Sequence, residues 1–254
     1  MMRNQNGATL IVVLFLLLTI TVLGTLAVRQ SVVGLNIATN SQAQQLLTQN
    51  SDAAFFNVER EDNIIQSLSA SGMFGYISGV KDKEKELVFC YRGAESQFFD
   101  ISRASIIYWK AGASAPTNNE FGTTGYCDAE DQDTNFFTSG RRVVMTQVAV
   151  KFTSISENDP FFGAQFGTDE QIVKFDRSKP VKVFAVSVMP TLSSVDPDDI
   201  NDCFRNHMSD VVIPEGTTVA VDAESRRSVT ECLTDLNVPF TSHATEYVIV
   251  QDFV

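Results

Sequence analysis

Between Gly7 and Arg29 the chain runs ATLIVVLFLLLTITVLGTLAV, and these 21 residues, Ala8 to Val28, carry no charge. Wound as a helix at ~1.5 Å per residue, they span about 32 Å, enough to cross the hydrocarbon core of a bilayer. Thr9, Thr19, Thr21 and Thr25 fit such a helix, because a threonine hydroxyl can bond back to a carbonyl one turn earlier. A secretory signal peptide has a shorter apolar region, ~7–15 residues, and a more basic start than MMRNQNG; Thr25-Leu26-Ala27 makes a poor cleavage site. A core helix of a soluble domain would show a polar face, and this segment has none. It reads as a transmembrane helix.

Past Arg29 the helix signals continue. SVVGLNIATNSQAQQLLTQNSDAAFFNVE contains no proline, and Val32, Leu35, Ala43, Leu46, Leu47 and Ala54 lie near a 3.6-residue period, broken by Thr39 and Asn50. Gly24 and Gly34 each lower helix propensity by ~1 kcal/mol and permit bending. The economical reading is one helix from Ala8 to Val58, about 75 Å long. Its first half is apolar all round; its second half is amphipathic and leans on a folded head. The chain thus divides into residues 1–7, a helix over 8–58 with a membrane-spanning part over 8–28, and a head over 59–254.

The head opens on NVEREDNIIQSLSASGMF, read as the frayed end of the long helix or a short second one. Strand candidates follow at 86–92, 104–110, 142–155, 181–189 and 246–254. Val148, Val150 and Phe152 alternate with Gln147, Ala149, Lys151 and Thr153, the period of a half-buried strand. The runs 142–155 and 181–189 suit antiparallel neighbours. Loops are expected at 111–140, 156–180 and 190–245. The fold class is α+β: a long helix packed on an antiparallel sheet.

Little in the head suggests chemistry. A net charge of −12 repels phosphate and argues against a nucleic-acid partner. His207 and His243 are the only histidines and stand apart, and no GxSxG, HExxH, GxGxxG or P-loop occurs. The chain reads as a non-enzyme. Calcium is the one cofactor to weigh. Asp131, Asp133 and Asn135 occupy the first ligand positions of an EF-hand, but Phe136 stands where glycine is needed and Arg142 where glutamate is needed. Asp196, Asp198, Asp199 and Asp202 form a second acidic group, which also suits a turn at Pro197. Of the phenylalanine pairs, Phe55/Phe56 and Phe98/Phe99 suit a core, and Phe136/Phe137 or Phe161/Phe162 could form an exposed patch. Cys90, Cys127, Cys203 and Cys232 show no CxxC spacing, so zinc is not indicated. In an exported body an even count implies two disulfides; of three pairings the sequence-local one, Cys90–Cys127 with Cys203–Cys232, is favoured.

A short polar leader ending in Gly7, an uncharged segment and an amphipathic continuation resemble the class III signal of type IV pilins. More narrowly, GATLIV followed by leucines resembles PilX-type minor pilins. The resemblance covers about the first 50 residues. It implies a pilin-like fold, with cleavage by a membrane peptidase between Gly7 and Ala8 and methylation of the new amine. Major pilins carry glutamate as the fifth residue after the cut; here that position is Val12. The carboxylate is thought to neutralise a neighbour's terminal amine, whose burial among apolar helices otherwise costs several kcal/mol. A subunit without it can still offer its own Ala8 amine to another subunit's glutamate, which suits the topmost place in a filament.

The resemblance therefore implies a tip or priming-complex subunit that initiates assembly and supports adhesion or twitching motility. Its partners would be other minor pilins, the major pilin and a large tip adhesin. It would wait in the bacterial inner membrane with its N-terminus cytoplasmic and end at the pilus tip. K-type tip pseudopilins of type II secretion share the missing glutamate and are the nearest alternative; a membrane-anchored extracytoplasmic binding domain is the other.

Overall fold

One helix, α1 (Asn6–Glu59), opens the chain and ends one residue beyond the expected Val58. The computed structural model describes residues 6–77, 82, 84–93, 97–130, 143–152 and 179–249. The chain divides into two compact units, residues 1–45 and 46–254. From Leu10 to Val28 α1 shows no sidedness and is exposed on every face. Its threonines behave as helix chemistry requires, with Thr19, Thr21 and Thr25 hydroxyls donating to the carbonyls of Leu16, Leu18 and Val22 at 2.8–2.9 Å.

In the second unit, residues 46–59 of α1 bury one stripe, Leu47, Ser51, Ala54 and Val58, spaced four, three and four apart. Leu46, expected on this stripe, points out instead and is 41% exposed. A short helix, α2 (Glu61–Ser67), follows directly. The chain then turns back at Gly75, where a Cβ would run into the Ser69 carbonyl.

Five strands make one antiparallel sheet: β1 (Glu86–Cys90), β2 (Ser105–Ile107), β3 (Met145–Phe152), β4 (Lys179–Val188) and β5 (Phe240–Ile249), in the order β2-β1-β3-β4-β5. The expected pairing of the 142–155 and 181–189 runs is present as β3 against β4, with Val150 opposite Val183. One face carries Leu87, Phe89, Val148, Val150, Val183 and Ala185, and these close a core with Ala54 and Val58 of α1. At its edge Ser51 Oγ lies 2.8 Å from Ser187 Oγ, itself 2.8 Å from Thr146 Oγ1, so three buried hydroxyls satisfy one another.

Two expectations need correction. β3 is buried on both faces, not half-buried. Its second face, with Val88, Ala149 and Ile107, is covered by Trp109, Tyr126 and Met208 and flanked by Val211, Ile213 and Val219. The central place in the sheet overrides the alternating pattern. The 190–245 stretch is not a loop either. It holds α3 (Pro197–Asn206), α4 (Val229–Asp235) and the start of β5. The missed signals are local: Asp196 caps α3 ahead of Pro197, and Ser228 with Glu231 forms a capping box on α4. Ile200, Phe204, Val229 and Leu233 of these helices pack with Met145, Val186 and Val188 at one end of the sheet.

Candidate functional site

The first candidate is the apolar surface of α1. By length and composition the helix can cross a membrane, as a membrane anchor does, and no part of its most apolar window is buried. Gly7 and Ala8 lie in the first turns of the helix. Val12 is 62% exposed, one apolar side chain among many. Gly24 and Gly34 have open space where a Cβ would stand.

The second is in the head, and the sequence reading missed it. Strand register aligns Glu86, Lys151, Lys182 and Glu246 in one row across β1, β3, β4 and β5. Lys151 is fully buried. Its Nζ reaches Glu84 Oε2 at 3.0 Å, the Asp210 carbonyl at 2.9 Å and Asp210 Oδ2 at 3.4 Å. Glu86, also buried, accepts from the backbone N–H groups of Ser209 and Asp210 at 2.8 Å each. Burial pushes the Glu86 carboxyl up to about 7, against the opposing pull of those two N–H groups and of Lys151. Lys182 links Asp210 Oδ2 at 4.0 Å to Glu246 at 3.2 Å. This row ties Ser209 and Asp210 to the sheet, so its observable work is structural. The signal that could have found it is Lys151 inside an otherwise apolar central run.

Both disulfides exist: Cys90–Cys127 with Cα atoms 4.9 Å apart and Cys203–Cys232 at 5.6 Å. The pairing is the sequence-local one. Cys127 and Cys203 are fully buried in the cluster at the sheet's end. The first bond joins β1 to the stretch at residue 127; the second joins α3 to α4.

The acidic group lies at the start of α3. The Asp196 side chain accepts from the Asp198 N–H and so is engaged as a cap. Asp198 sits in the same first turn as Asp199, and Asp202 accepts from Asn206 Nδ2 at 3.2 Å. Among the described residues no group of three or more histidine, cysteine, aspartate or glutamate side chains is placed to hold a metal. Asp131, Asp133, Asn135, Phe136/Phe137, Arg142 and Phe161/Phe162 lie outside the described residues. Phe99 is in the core and Phe98 beside it; Phe55 is half-buried, whereas Phe56 is 68% exposed. His207 Nδ1 meets the Arg227 carbonyl at 3.0 Å, and His243 Nδ1 stands 3.5 Å from Asp52 on α1.

No protein-family model, no curated protein and no solved structure matches this chain.

Proposed function

We propose that the chain is a minor pilin of a type IV pilus, a tip or priming subunit whose leader is removed between Gly7 and Ala8. What supports the reading is the uncharged helix that follows Gly7, exposed along its whole apolar length. Such a surface needs lipid or other apolar helices around it. Transfer from one to the other is nearly neutral in hydrophobic terms, because lipid tails and leucine side chains are similarly apolar. Packing, ion pairing and an external motor must then set the direction of assembly. Val12 leaves the subunit without a carboxylate at the fifth mature position, so it donates an amine and accepts none. That asymmetry assigns it the first place in the filament.

In this reading the precursor sits in the bacterial inner membrane, leader inside and head outside, until assembly carries it to the pilus tip. There the head meets other minor pilins and an adhesin and serves adhesion or twitching motility. Two disulfides suit an oxidising compartment outside the cytosol. The experiment is mass spectrometry of the amino-terminal peptide from membranes and sheared filaments. A methylated Ala8 start is expected; a mature chain that still begins at Met1, or one that begins beyond Ala27, overturns the reading.

A further inference from the structure

The two edges of the sheet are built differently. At one edge β2 has three residues, all buried, and the next residues are closed off by a bridge between Tyr108 and Thr117. At the other edge β5 runs for ten residues without proline or glycine, and among the described residues no strand pairs with its outer side. The direction of its free groups follows from one hydrogen bond. The Met189 N–H donates to the Pro239 carbonyl at 3.2 Å, in step with the β4–β5 register. Hydrogen-bonded pairs recur at every second residue, so the odd-numbered positions of β5 face β4. The backbone N–H and C=O of Ser242, Ala244, Glu246 and Val248 are left on the open side. All four residues are exposed, and Val248 is 61% exposed. Proteins commonly guard a long edge with lysine, proline or a bulge. Here the one charge on these outward positions is Glu246.

An apolar cleft of about 290 Å³ adjoins the last residues of this edge. Val58, Ile64, Leu68, Phe74, Tyr247 and Val248 line it. Tyr247 donates to Glu59 Oε1 at 2.9 Å, which fixes the end of α1 beside β5 and holds the cleft open between strand and α2. Ile65 at 73% and Phe56 at 68% exposure add apolar surface on α2 and the end of α1. The polar residues at the α1–α2 junction are mainly acidic: Glu59, Glu61 and Asp62 against Arg60.

We propose that β5 and this cleft form a strand-addition site for an extended segment of another protein, with alternate apolar side chains and a basic flank. The segment pairs its backbone with Ser242 through Val248. Every second side chain then falls toward the cleft, and lysine or arginine beyond it meets the acidic junction. Main-chain bonding supplies affinity and the cleft supplies selection, the division of labour in β-augmentation. Charge complementarity sets the choice of flank. The site lies wholly within residues 46–254 and does not depend on the filament reading or on processing at Gly7.

The test uses the full chain in detergent micelles, with protein-free micelles as the blank, and a display library of random linear decapeptides. Selected peptides should share apolar residues at every second position with a lysine or arginine flank. Methylating the backbone nitrogens of the selected peptide on its pairing side should weaken binding by at least roughly tenfold, which mere apolar insertion would not show. Val248→Lys at the edge and Leu68→Glu in the cleft, both at exposed positions, should each cause a similar loss with the disulfides and thermal unfolding unchanged. A library that yields no such pattern overturns the proposal, as does binding indifferent to N-methylation and to both variants. Sedimentation that shows dimers abolished by Val248→Lys overturns it too, by giving the edge to a second copy of this chain.

Discussion

The fully buried ammonium of Lys151, on the central strand, lies 2.9 Å from the backbone carbonyl of Asp210, 59 residues away in sequence. A buried ammonium costs several kcal/mol unless its protons are matched, and Glu84 and the Asp210 carboxylate complete the match. The same residue's N–H is held by Glu86. A buried ammonium on β3 and a buried carboxyl on β1, opposite each other, thus grip one peptide segment from both sides.

Lys151→Met should therefore destabilise the head by about 1–3 kcal/mol, because it leaves the Asp210 carbonyl and the part-exposed Glu84 and Asp210 carboxylates without their cation. Adding Glu86→Gln to Lys151→Met should cost less than the sum of the two single changes. Urea unfolding followed by Trp109 fluorescence measures this; Trp109 is the only tryptophan and is buried. Simple additivity of the two changes would mean the charges are not coupled.

Stability should fall as the solution is brought from acid up to neutrality. The folded Glu86 carboxyl titrates at about 7, above its ordinary value of 4.5, so the folded chain keeps a proton that the unfolded chain has released. The contribution is complete below about pH 4.5 and is lost as pH rises to about 7; its size is on the order of 3 kcal/mol. Lys151, the Asp210 carboxylate and the Tyr126 ring are the groups that face Glu86. In Glu86→Gln the slope of unfolding free energy between pH 5 and 7 should flatten.

Removing either disulfide should cost about 2–4 kcal/mol, since the bonds close sequence separations of 37 and 29 residues. The Cys203→Ala/Cys232→Ala pair should loosen α3 and α4 first. Hydrogen exchange should show this as lost protection at Ile200, Phe204 and Leu233 before any change in β3.

Tyr126 is buried, and among the described residues its hydroxyl has no hydrogen-bond partner. Tyr126→Phe should raise stability by about 1 kcal/mol, because an unmatched polar atom is withdrawn while the ring contacts remain. A drop in Tm would reveal a partner for that oxygen.

Local chemistry was enough to mark out much of this fold. The uncharged run Ala8–Val28 and the proline-free stretch after it predict one long helix, and α1 is that helix. Runs of valine, isoleucine and phenylalanine locate four strands, because β-branched and aromatic side chains favour pleated backbone wherever they occur. The fifth strand begins earlier than its apolar run, at Phe240, because pairing with β4 extends it through Thr241 and Ser242. The capping residues of α3 and α4 were present in the sequence as well, but Asp196-Pro197-Asp198-Asp199 serves a turn as readily as a helix start.

Long-range packing settled the rest. Alternation in β3 predicts one wet face, and Lys151 stands where a solvent-facing residue belongs. Only the arrival of residues 208–219 on that face turns it into a buried charge with matched partners, and no local pattern carries information about a segment some 60 residues away. The same holds for the open edge at β5: which strand ends a sheet is fixed by pairing order, a property of the whole chain rather than of any stretch within it.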